Sequence, residues 1–80
     1  MEINKAFTKR LRNILVDKKM TITKLIEKTG LYRSTVTSML SDKVKASNFK
    51  TMVIIIKALG ISLKEFFSDE LFSFDNLEID

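Results

Sequence analysis

Apolar residues recur along this chain at steps of three and four, the period of a helix with one buried face. Ile3, Phe7, Leu11, Ile14 and Leu15 form the first such stripe and predict a helix over about residues 4–18. Lys5, Lys9, Arg10 and Arg12 make the rest of it basic, to meet either phosphate or solvent. Leu25 and Ile26 mark a second, shorter helix. Val36, Met39 and Leu40, spaced i, i+3, i+4, mark a third over about residues 32–41. Phe49, Met52, Val53, Ile56 and Leu59 predict a fourth over about residues 48–59. Residues 52–56 are β-prone taken alone, but the 3.6 period and the flanking signals favour helix.

Punctuation supports these boundaries. Thr21 is a good N-cap for the second helix, because its hydroxyl can accept from first-turn amides. Gly30, just past that helix, can take the left-handed conformation without a Cβ clash. Ser47 or Asn48 can cap the fourth helix, and Gly60 stops it. Ser62 and Glu65 have capping-box spacing and open a short fifth helix to about Phe67. Lys18 and Lys19 end the first helix with cations that offset its dipole.

Residues 21–41, TITKLIEKTGLYRSTVTSMLS, organise the rest: two short helices about a glycine turn. The third helix is apolar on one face. The other carries Ser34, Thr37, Ser38 and Ser41, with Arg33 at its entrance and no acid. A small, hydrogen-bonding face on a short turn suits insertion into a DNA major groove. An ordinary surface helix of a small bundle has a similar look.

Two further segments offer contact surfaces. Residues 41–47, SDKVKAS, place Lys43 and Lys45 beside the third helix, where a basic loop suits backbone phosphate. Ile54 lies between Lys50 and Lys57 on the outer side of the fourth helix. The tail, SDELFSFDNLEID, is too apolar for disorder. Its alternation permits a short strand, which needs a partner, and the same tail of a second subunit is the economical one. The other reading folds its aromatics back onto their own core.

Composition narrows the chemistry. Eighty residues make one small domain. With no cysteine and no histidine, disulfides, transition-metal sites and His-dependent acid–base catalysis are excluded. No phosphate-binding loop is present and the body's carboxylates are scattered, so an enzyme is not expected. No apolar run approaches the ~20 residues of a membrane span, and residues 1–10 lack a signal-peptide core, so a cytoplasmic protein is expected. Residues 1–67 hold all fourteen Lys and Arg against five acids, a net +9, whereas residues 68–80 hold five acids and no base. A basic body suits a polyanionic partner.

The order of these residues resembles the lambda-repressor/Cro-like helix–turn–helix family, the Xre-type transcriptional regulators, over about residues 7–67. The matching residues are Thr21, Leu25, Glu27-Lys28-Thr29-Gly30 and Arg33-Ser34-Thr35-Val36. They continue with Phe49-Lys50-Thr51, Lys57-Ala58-Leu59-Gly60-Ile61-Ser62-Leu63 and Glu65-Phe66-Phe67. The resemblance implies that Arg33, Ser34, Thr37 and Ser38 read base edges. It implies DNA-backbone contacts at Thr21, Ile22, Thr35, Ser41, Lys43, Lys45 and Asn48. It departs from the family at Ile22, where glutamine is usual, so that contact is lost or becomes an apolar touch to a thymine methyl or sugar. At Leu15 and Leu40 the family often buries an arginine–glutamate pair. Both have become apolar together, so these two leucines are expected to touch. Asp42 stands where glycine is common.

The expectation is an all-α, five-helix, lambda-repressor-like DNA-binding domain over residues 1–67, with an acidic, apolar tail over 68–80 that can supply a dimerising strand. It is expected to bind a near-palindromic operator in double-stranded DNA as a homodimer and to act as a repressor. Ile54, Phe67, Leu71, Phe72, Phe74 and Leu77 are the expected dimer contacts. No metal, cofactor or membrane is expected. The alternative is an antitoxin or antirepressor acting mainly through a protein partner of the tail.

Overall fold

The computed structural model describes residues 1–41 and 48–78. Five α-helices follow one another: α1 Ile3–Asp17, α2 Ile22–Thr29, α3 Arg33–Met39, α4 Phe49–Ala58 and α5 Leu63–Phe66. A 3₁₀ turn, Glu70–Phe72, closes the sequence of elements, and the described residues contain no strand. The expected caps form. The Thr21 hydroxyl accepts from the Lys24 amide, Asn48 Oδ1 from the Lys50 and Thr51 amides, and the Ser62 hydroxyl from the Glu65 amide. Each satisfies first-turn donors that the helix itself leaves open.

One core joins all five helices. Phe7, Leu11, Ile14 and Leu15 from α1 meet Leu25 from α2 and Val36 and Met39 from α3. Leu40, Ile55, Ile56, Leu59 and Phe66 complete it. Helix α2 packs against both α3 and α4, and α5 packs on α4. Burial of a side chain such as Leu25, fully enclosed, contributes about 2 kcal/mol. Leu15 and Leu40 are both buried in this cluster and line one common cleft, where the two apolar replacements were expected to meet.

The core stripes differ from the expected ones at their ends. Ile3 and Phe49 are exposed, because each is the first residue of its helix and its side chain lies beyond the packed layer. In α4 the fully buried pair is Ile55 and Ile56, with Met52 and Val53 half-buried. Five consecutive apolar residues left the buried arc undecided. Helix α3 is also shorter than its apolar pattern suggested, with Tyr32 as its N-cap and Leu40 as its C-cap.

The expected dimerising strand does not form among the described residues of the tail, which end at Glu78. Asp69 caps the 3₁₀ turn by accepting from the Leu71 amide, and Phe72 packs onto Phe66 and Phe67, with ring centroids 5.9 and 4.9 Å apart. The Phe72 ring therefore folds the segment onto its own core, while Phe74 stays exposed. Asn76 and Glu78 then meet the first residue: the Met1 ammonium donates to the Asn76 carbonyl at 2.7 Å, and the Glu78 amide donates to the Met1 carbonyl at 2.9 Å.

The basic flank of α1 has specific partners. Arg10 donates to the carbonyls of Phe66 and Glu65 at 2.8 and 3.0 Å, and its guanidinium lies 3.4 Å from the Asp69 carboxylate. Arg12 donates to the Leu40 carbonyl. Both arginines thus occupy the open carbonyl ends of short helices.

Candidate nucleic-acid interface

Helix α2 ends at Gly30, whose φ of 71° lies in the left-handed region. The Gly30 amide donates to the Ile26 carbonyl, and the Leu31 amide donates to the Thr29 hydroxyl. With these donors satisfied, the chain reverses through Gly30, Leu31 and Tyr32 and enters α3. Val36 and Met39 bury the inner face of α3.

The carbonyl end of α3 is tied to α1. The buried Thr8 hydroxyl donates to the Met39 carbonyl at 3.2 Å, and Arg12 binds the next carbonyl, that of Leu40. A seven-residue helix has few internal bonds to hold it, so these two side chains fix its rotation.

That rotation turns Arg33, Ser34, Thr37 and Ser38 outward, all four exposed. Thr37 donates its hydroxyl hydrogen to the Arg33 and Ser34 carbonyls at 3.0 and 3.2 Å. It therefore offers outward a methyl group and remaining lone pairs. Among the described residues, the side chains of Arg33, Ser34 and Ser38 have no hydrogen-bond or ion-pair partner. Arg33 keeps its planar fork, which matches the two acceptors of guanine, and the serines can donate or accept.

The flanking positions fall into three groups. Thr21 and Ile22 lie at the exposed start of α2, and the capping bond of Thr21 uses its lone pairs and leaves its O–H to donate. Thr35 and Ser41 are half-buried, and Asn48 is exposed while capping α4. Lys43 and Lys45 lie outside the described residues. In the sequence Lys19 has only the role of ending α1, yet it lines the same cleft as Thr21 and Ile22. Its backbone conformation, not its place in any pattern, singles it out.

The arrangement is a helix–turn–helix with an outward, acid-free second helix. The family model for the Cro/C1-type helix–turn–helix DNA-binding domain matches residues 10–71.

The chain belongs to the Cro/C1-type helix–turn–helix DNA-binding family.

No curated protein and no solved structure matches it. Membership makes this all-α Cro/C1-type domain a DNA-binding transcription regulator. No group of three or more His, Cys, Asp or Glu that could hold a metal occurs among the described residues. No described helix is long and apolar enough to cross a membrane.

Proposed function

We propose that this Cro/C1-type domain binds a near-palindromic operator as a homodimer, reads the major groove with α3 and represses transcription by occupying the site. The observation that carries the reading is the outer face of α3. Arg33, Ser34 and Ser38 stand exposed there, with no partner among the described residues. In this reading Arg33 spans a guanine edge, Ser34 and Ser38 bond neighbouring bases, and the Thr37 methyl meets a thymine methyl. Thr21, Ile22, Thr35, Ser41, Asn48, Lys43 and Lys45 hold the backbone and make affinity fall with salt. Residues 1–67 act as the DNA-binding unit and residues 68–80 as its acidic flank.

For the dimer, the proposed contacts separate by exposure. Phe67, Leu71, Phe72 and Leu77 are half-buried within their own chain, as is Ile54, whereas Phe74 is 82% exposed. Phe74 and the outer part of Ile54 are thus the surfaces best placed to meet a second copy. The exposed aromatic also favours the second reading, an antitoxin or antirepressor whose tail holds a protein partner.

Selection from a randomised duplex pool at ~150 mM salt tests the proposal. Enrichment of a two-fold symmetric site, with half-sites about one helical turn apart, is the expected result. Absence of any enriched sequence would overturn it.

A further inference from the structure

The junction of α1 and α2 carries a feature that base reading does not use. A cleft of about 390 Å³ opens there, lined by Arg12, Val16, Lys19, Met20, Thr21 and Ile22, with Leu15 and Leu40 beneath. Among the described residues its charged lining is Arg12 and Lys19, with no carboxylate. Its rim is apolar and open: Val16 is 76% and Ile22 38% exposed.

Lys19 holds an unusual backbone. Its φ is 53°, the one positive value at a residue other than glycine among the described residues. The Lys19 amide donates to the Val16 carbonyl and the Met20 amide to the Leu15 carbonyl, a paired closure of α1 that favours glycine at this position. A Cβ in this conformation is strained. Compensation of the α1 dipole does not explain the lysine, because Lys18 at the C-cap already supplies a cation there. A residue held against backbone preference beside a cationic cleft points to work done by its side chain.

We propose that this cleft seats a segment of DNA sugar–phosphate backbone, with Lys19 as its phosphate anchor and Val16 and Ile22 against deoxyribose. The inference rests on the DNA-binding reading above and extends it to a residue outside the helix–turn–helix. Cation and apolar rim together match a phosphodiester beside its sugar, whereas a free anion would use the cations alone. Ile22 then has a role that suits an apolar side chain.

The test compares wild type with Lys19→Gly, Lys19→Ala and Lys19→Arg, measuring thermal midpoint and affinity for the selected operator over a salt series. Lys19→Gly relieves the strain and loses the ammonium, so it should melt higher than wild type yet bind several-fold more weakly. Its plot of log affinity against log salt should be shallower by about 0.9, one phosphate contact. Lys19→Ala should show the same binding loss without the stability gain, and Lys19→Arg should keep wild-type affinity. If Lys19→Gly and Lys19→Ala bind as tightly as wild type with the same slope, the proposal is overturned while the DNA reading stands. If inorganic phosphate protects the wild type from heat but operator affinity is indifferent to Lys19, the cleft belongs to a free anion and the proposal likewise fails. A wild type that selects no DNA sequence removes the DNA reading, and the cleft's role with it.

Discussion

The Thr8 hydroxyl of α1 donates to the Met39 carbonyl at the end of α3, across 3.2 Å of buried space. Thr8 is 3% exposed, so its hydroxyl has no ready partner in water. Replacing Thr8 by valine keeps the shape and takes this buried donor away from the Met39 carbonyl. The expected cost is about 1–3 kcal/mol in urea unfolding. Operator affinity should fall as well, because α3 loses one of the two ties that set its rotation. A variant as stable as wild type would show that packing alone positions the helix.

Arg10 ties α1 to α5 and the 3₁₀ turn together. Its side chain is only 17% exposed, donates to two carbonyls and lies 5.8 Å from the Phe66 ring centroid. Arg10→Met should cost about 2 kcal/mol, the scale of charged hydrogen bonds to carbonyls left without a donor. Asp69→Asn, which removes the charge of the half-exposed partner, should cost less than about 1 kcal/mol. Equal losses in chemical denaturation would mean that the ion pair, not the carbonyl bonds, carries the contact.

The left-handed backbone at Gly30 penalises an ordinary side chain. Nothing lies within 4 Å of a Cβ built there, so the penalty is conformational rather than steric contact. Gly30→Ala should lower stability by about 1 kcal/mol, with Gly30→Asn milder because asparagine visits this conformation more readily. Thermal melts of the two variants check the order.

Much of this architecture is legible in the sequence because its signals are local. Thr21, Asn48 and Ser62 announce helix starts by their own hydroxyl or amide chemistry, and Gly30 and Gly60 announce stops. Val36, Met39 and Leu40 fix the inner face of α3 by spacing, which leaves Arg33, Ser34, Thr37 and Ser38 outside. What sequence could not show depends on distant partners. Arg10 and Arg12 look like a solvated basic face until the chain brings helix ends to them. Lys19 sits in a KKM run with no glycine to announce a left-handed residue. In the tail, alternation of Phe72 and Phe74 suits a strand equally well, and only the rings of Phe66 and Phe67 decide for a turn.

Phe74 contributes little to its own fold at 82% exposure. Phe74→Ser should leave stability within about 0.5 kcal/mol of wild type. It should weaken self-association in sedimentation equilibrium if the aromatic lies in the dimer contact. An unchanged dimer would move the interface away from this residue.

The central claim is that α3 reads bases through Arg33. Its most direct measurement compares wild type and Arg33→Ala across every single-base variant of the selected operator. Wild type should lose about 1–3 kcal/mol at one guanine in each half-site, and Arg33→Ala should lose this discrimination there alone. Weakening by Arg33→Ala that is uniform over all positions, with the guanine preference intact, would make Arg33 a phosphate contact and contradict the account.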